Sequence, residues 1–155
     1  MIKGLHHNAY RCRDSEQTRQ FYEGFLGLPL ADAFEIATTK TGRTTKALHS
    51  FYRMDDGSFL AFFEAPDMPF EFKKQHDYDL HIALEVDNDV LLEMFEKGKK
   101  HGMAPRGISD HGFIHSIYFR DPNGYVIELT AKQPIEEADT EERARAALDR
   151  WQAAK

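Results

Sequence analysis

Apolar and polar positions alternate along this chain in short runs, and the runs come in two sets with the same order. Residues 5–12 read as a strand, Asp14 or Ser15 then reads as a helix N-cap before a helical stretch at 18–25, and Gly27-Leu28-Pro29 stops it. Two apolar runs follow at 47–54 and 58–65, joined by the turn Asp55-Asp56-Gly57. The second set opens with a strand at 81–86. Asp87-Asn88-Asp89 caps a helix carrying Val90, Leu91, Met94 and Phe95 on one face, and His101-Gly102 ends it. Runs at 114–119 and 125–130 follow, joined by Pro122-Asn123-Gly124, whose residues tolerate the backbone angles a hairpin needs. Each set is therefore a strand, a helix, then two or three strands, which predicts an α+β fold. Residues 33–46 read as a polar, Thr-rich insertion in the first set, and 66–79 as a linker whose Met68-Pro69-Phe70-Glu71-Phe72 is apolar enough to lie over a pocket. Beyond Pro134 the composition turns to Glu, Arg and Ala. That predicts a surface helix at 136–153, with Leu148 and Trp151 as its packing face.

The two sets also share letters. Leu5-His6-His7-Asn8-Ala9-Tyr10 returns as Asp79-Leu80-His81-Ile82-Ala83-Leu84, and His49-Ser50-Phe51-Tyr52 as His115-Ser116-Ile117-Tyr118. A unit that recurs in this way cannot bury its apolar face alone, so two copies pack together and matched residues meet near their pseudo-twofold axis. The expectation is one domain over residues 1–132, with modules at about 3–66 and 78–132, and a helical tail at 133–155. At 155 residues and 41% hydrophobic the chain has enough apolar surface for a core. Its formal charge of −6, without a long basic run, argues against nucleic acid as a partner. No apolar run approaches a membrane span, and the single Cys12 without a signal peptide makes a reducing cytoplasm the expected location.

Side-chain direction carries the chemistry. On a strand, residues two apart share a face, so His7 goes with Ala9 and Arg11, His81 with Ala83 and Glu85, and the adjacent His6 points the other way. Glu128 interrupts an apolar strand, Tyr125-Val126-Ile127-Glu128-Leu129, where an unpartnered carboxylate is costly to bury. Two imidazoles and a carboxylate from separate strands form a facial triad that leaves open positions for substrate, water or O₂. Each histidine alone is more often an ordinary hydrogen-bonded residue than a ligand. The repeat register of His7 and His81, together with a strand carboxylate, favours one divalent metal on His7, His81 and Glu128.

At these residues the chain resembles the vicinal oxygen chelate superfamily, which takes in glyoxalase I, extradiol dioxygenases, fosfomycin-modifying enzymes and metal-free bleomycin-binding proteins. The resemblance runs over about residues 3–132 and rests on His7 with Asp14, Phe21-Tyr22, Leu26-Gly27-Leu28, His81-Ile82-Ala83, and Asp121-Pro122-Asn123-Gly124 leading to Glu128. It implies paired βαβββ modules curling into an open β-barrel around a metal, usually in a homodimer. A glyoxalase-type fourth ligand belongs on the last strand of the first module. Counting from the turn places Ala61 or Phe62 there, so Glu64 is a candidate only if the strand bulges.

His111, Ile117-Tyr118, Asp121-Pro122-Asn123-Gly124 and Glu128 further resemble the extradiol dioxygenase signature, with Ser109 as a departure and with a chain shorter than that group's. This implies Fe(II), with Mn, Ni or Zn as other candidates. The substrate would be a small molecule with adjacent oxygens, such as a catechol, with O₂ as co-substrate. Tyr118, His115 and His111 are the residue types suited to proton transfer and hydrogen bonding there. His115 is equally readable as a cross-strand partner of His49. Two other classes remain open: a glyoxalase-type lyase or isomerase, disfavoured by Ala61, and a ligand-sequestering protein using Phe51, Phe63, Phe70, Phe72 and Phe113.

Overall fold

A computed structural model of the chain describes residues 2–68, 70–72, 76–134 and 141–155. The elements run β1 (Tyr10–Arg11), α1 (Ser15–Arg19) continuing as a π-helical turn (Gln20–Phe25), β2 (Leu30–Thr38), β3 (Thr44–Arg53), β4 (Phe59–Glu64), β5 (Ile82–Glu85), α2 (Asn88–Lys100), β6 (Arg106–Asp110), β7 (Ile114–Arg120), β8 (Val126–Lys132) and α3 (Glu141–Ala153). This is an α+β chain of two βαβββ modules and a C-terminal helix. The two four-stranded sheets have the same internal order, β1-β4-β3-β2 and β5-β8-β7-β6, so the repeat read in the letters is a repeat of topology.

Local chemistry explains most boundaries. Asp14 caps α1 by accepting from Gln17 N at 2.8 Å. The helix then widens, with Leu26 N bonded to Phe21 O, and Gly27 at φ +86° supplies the left-handed residue that ends it. Asp87 occupies the N-cap position of α2, and Gly102 at φ +68° follows its end. On α2 the buried residues are Leu91, Met94 and Gly98. Val90, expected on that face, is 39% exposed.

Four expectations change. The first strand is shorter than residues 5–12: His7 makes only an isolated bridge to Phe59, and pairing proper begins at Tyr10. Asn8 is the reason, because its Oδ1 accepts the Ala61 N–H at 2.9 Å and replaces a backbone rung. The polar stretch at 33–46 is no insertion. Most of it is β2 and the start of β3, paired from Leu30↔Tyr52 to Thr38↔Thr44. As an edge strand, β2 leaves nearly all its side chains exposed and needs no apolar alternation. Ser109 and Asp110, outside the apolar runs read from the sequence, lie on β6. Among the described residues α3 buries no side chain, and Leu148 and Trp151, expected as its packing face, are 54% and 65% exposed. Residues 136–140 of the expected helix, and 69 and 73–75 of the expected linker, lie outside the described residues.

The chain divides into two compact units, Met1–Ile82 with Phe119–Ile127, and Ala83–Tyr118 with Glu128–Lys155. The division does not follow the modules, because the tip of the β7–β8 hairpin belongs to the first unit. Asp121 is what binds it there. Its buried carboxylate accepts Tyr22 OH and Asn123 Nδ2 at 2.9 Å, Asn123 N at 2.9 Å and Tyr125 N at 2.8 Å. Asn123 Oδ1 takes Arg13 N at 2.8 Å, and Tyr125 OH donates to Arg11 O at 2.9 Å. Burial pushes the Asp121 carboxyl above the usual value and holds the Tyr22 phenol well above its own. Around this network Tyr22, Tyr52 and Phe62 form an aromatic core, with ring centroids 4.6 to 5.9 Å apart.

In the second unit β6 and β7 approach closely at Gly107. A Cβ there would stand 2.6 Å from Ser116 O, and φ is +117°, a region an L side chain rarely enters. Gly107→Ala is expected to cost about 3 kcal/mol from strain and overlap together, seen as a lowered urea midpoint. An unchanged midpoint would show that the strand can shift to make room.

Candidate functional site

The second unit brings together three of the polar residues singled out in the sequence. On β7 and β8 one face carries Tyr118 and Ser116 beside Glu128 and Thr130, with Ser116 Oγ donating to Thr130 Oγ1 at 3.3 Å. Tyr118 OH donates to Glu128 Oε1 at 3.3 Å, and His111 Nε2 stands 3.1 Å from the same hydroxyl. A phenol has one proton to give. With that proton directed at Glu128, His111 must donate through Nε2–H, giving a directed chain from His111 through Tyr118 to Glu128. Glu128 is 6% exposed, whereas His111 lies at the exposed turn after β6. Burial first, and then the Glu128 carboxylate, push the Tyr118 phenol above its ordinary value, so it remains a protonated donor at neutral pH. Arg106, paired with Tyr118 across β6 and β7, lies over its ring at 5.0 Å. Sequence reasoning missed Arg106 because no strand was expected there. His115 does not join this group. It has the opposite strand parity, and its Nε2 lies 3.7 Å from Asp110 in an exposed pair of small energetic weight.

The first unit carries a second cluster, of histidines and aromatics on one face of its sheet. His49 stacks on Phe63 with centroids 3.6 Å apart and is anchored through Nδ1 to Phe62 O at 3.0 Å. Phe51 lies 4.2 Å from His49 and 5.5 Å from His7, and Phe34 stacks on Phe51 at 5.8 Å. His7 and His6 are not on opposite sides here. With the strand reduced to a single bridge, the alternation lapses, and their Nδ1 atoms come within 2.8 Å.

Glu64 is on the other side of this sheet. It shares parity with Phe62, which packs on Tyr22, while its neighbour Phe63 stacks on His49. Its Oε2 accepts the Ser15 N–H at 2.7 Å, where a carboxylate favourably meets the helix N-terminus. Glu64→Gln is therefore expected to leave metal content unchanged. A loss of tenfold or more, measured by metal analysis of the purified variant, would make it a ligand after all.

The donor set His7, His81 and Glu128 suits a divalent cation in its chemistry. His81 Nδ1 is bonded to Asp77 O at 2.7 Å, which places the imidazole proton there and leaves Nε2 as the basic nitrogen, the tautomer of a metal-binding histidine. His7 and His81 belong to the first unit and Glu128 to the second. Among the described residues no group of three or more His, Cys, Asp or Glu is gathered closely enough to hold an ion. Among the same residues no helix is long and apolar enough to cross a membrane.

The family model for the Glyoxalase/Bleomycin resistance protein/Dioxygenase superfamily matches residues 4–129. A search of curated proteins by sequence returns no match. Among solved structures, a point mutant of the fosfomycin resistance protein FosX from Listeria monocytogenes, complexed with Mn(II) and 1S,2S-dihydroxypropylphosphonic acid, is 22% identical, with 93% of this chain and 98% of that one covered at a TM-score of 0.61. A glyoxalase/dioxygenase from Nostoc punctiforme is 21% identical, covering 85% and 92% at 0.60. TnmS3, an antibiotic binding protein from Streptomyces sp. CB03234, is 19% identical, covering 85% and 98% at 0.61. At these identities the likeness is one of fold.

Proposed function

Since the chain belongs to the Glyoxalase/Bleomycin resistance protein/Dioxygenase superfamily, we propose that it is a metal-dependent enzyme acting on a small molecule with adjacent oxygens, and within that class a non-haem Fe(II) dioxygenase of the extradiol type. The observation that carries this reading is the His111–Tyr118–Glu128 chain, a donor relay ending on the one buried carboxylate of the expected ligand set. His7, His81 and Glu128 would hold the ion, in a homodimer. An ion held by these residues would supply Lewis acidity that makes a substrate hydroxyl easier to deprotonate.

The chain's own groups supply the rest. Tyr118 keeps its proton at neutral pH and fixes the orientation of the Glu128 carboxylate. His111 holds the phenol oxygen from the outer side, where its exposure lets it exchange a proton with solvent. Arg106 over the Tyr118 ring opposes the rise in the phenol's pKa, a counterweight to Glu128.

The test is oxygen uptake by Fe(II)-reconstituted protein on a panel of catechols. Uptake matched to ring cleavage is the expected result. Metal-dependent turnover without oxygen uptake would move the protein to the lyase or isomerase class. The aromatic face of Phe34, His49, Phe51 and Phe63 favours one alternative, retention of a planar ligand without turnover. Tight binding of a planar compound that survives chelation of the metal, with no product, would establish that alternative.

A further inference from the structure

The first unit contains a cavity of about 180 Å³ bounded by Arg11, Arg13, Glu64, Met68, Phe70 and Phe72. The geometry points to this cavity as a second small-molecule site, one that takes a small aromatic carboxylate, its anionic end on the two guanidinium groups and its ring between the phenyl rings. It lies entirely within one unit and does not require the metal centre.

Three features carry the inference. The first is charge without a matching partner. Arg11 Nη2 donates to two carbonyls, Ala65 O at 3.2 Å and Met68 O at 2.9 Å, its Nε is inaccessible to solvent with no hydrogen-bond partner, and among the described residues no carboxylate lies within ion-pair distance of Arg11 or Arg13. A guanidinium offers a planar donor fork that matches a carboxylate, and an unmade donor inside a protein is costly. The second is the pairing of each cation with a ring: Arg11 stands 4.9 Å over Phe70, and Arg13 stands 5.6 Å over Phe72. The rings are held in turn, Phe70 against Phe72 at 4.6 Å and Phe72 against Tyr125 at 5.5 Å, so an arriving aromatic meets ordered edges.

The third is the disposal of the local negative charge and the size of the space. Among the described residues Glu64 is the one carboxylate lining the cavity, and its Oε2 is engaged by Ser15 N at the start of α1, which turns its charge toward the helix. The cavity is about six times the liquid volume of a water molecule and smaller than the several hundred Å³ typical of drug-sized ligand sites. That suits a single-ring acid. Arg11 also holds Ala65 and Met68 by their carbonyls, which fixes that edge of the cavity in the free protein.

The experiment is titration of the full chain with benzoate, read by nitrogen–proton NMR with the arginine Nε–H resonances included, beside acetate and benzyl alcohol as controls for charge alone and ring alone. Saturable shifts at Arg11 and Arg13 are expected, with half-saturation at about 1 mM or tighter for a ligand of this size. Both controls should bind about tenfold more weakly. Arg13→Gln and Phe70→Ala alter side chains at the cavity edge and should each weaken binding by about tenfold, whereas Glu64→Gln, which removes the like charge and keeps an oxygen for Ser15 N, should strengthen it. Glu128→Gln should leave benzoate affinity unchanged. No saturable shift up to about 20 mM would overturn the proposal. So would binding that is lost in Glu128→Gln yet kept in Arg13→Gln, since the anion would then occupy the proposed metal centre.

Discussion

Tyr118→Phe is expected to lower turnover by about 10² to 10⁴ while leaving metal content and melting temperature near those of the unaltered protein. The substitution removes one oxygen. That oxygen gives the only proton Tyr118 has to the Glu128 carboxylate and is the acceptor for His111 Nε2, so the relay is cut in the middle. The ring, its packing and Arg106 above it all remain. The 3.3 Å contact to Glu128 is a long hydrogen bond and adds little to folding, which separates a kinetic role from a structural one. Two further measurements sharpen the test. The burial and carboxylate effects that raise the phenol's pKa predict that activity does not fall through the neutral range from loss of the Tyr118 proton. His111→Gln, which keeps a donor at the outer end, should retain more activity than His111→Ala. Full turnover in Tyr118→Phe with a depressed melting temperature would make Tyr118 a packing residue and remove the chief support for the dioxygenase reading.

The second large effect concerns the ion itself. His81→Ala and Glu128→Gln should each abolish stoichiometric binding of Fe(II) or Mn(II), measured by metal analysis after gel filtration, because either change leaves two donors where a facial triad needs three. His6→Ala is the informative contrast. His6 touches His7 through Nδ1, so its loss should loosen the orientation of His7 and lower affinity by about 10- to 100-fold without abolishing binding, the effect typical of a group behind a ligand. Bound metal should also raise the melting temperature of the protein, and Glu128→Gln should cancel that rise. Full metal content in His81→Ala would end the assignment.

The sequence by itself determined the order of elements and the doubling of the module. Those are properties of local periodicity and of caps such as Asp14, Gly27 and Gly102, each satisfied within a few residues of where it stands. It also put Tyr118 and Glu128 on one pair of strands, because neighbouring strands across a hairpin have a register that can be counted. It failed on β2 because an edge strand that buries nothing has no reason to alternate, and on β6 because five residues around Gly107 carry no apolar pattern. Only the tertiary structure decided which polar groups meet across long stretches of chain. Asn8 reaching Ala61 shortens the first strand and lets His6 turn toward His7. Asp121, read as a turn residue, gathers Tyr22 from the helical segment after α1 and assigns the hairpin tip to the first unit. Glu64 is claimed by Ser15 N, while among the described residues Arg11 and Arg13 are left with rings and carbonyls for company. Such pairings depend on the burial of groups far apart in sequence, where an unmet donor or acceptor is expensive, and periodicity holds no information about them.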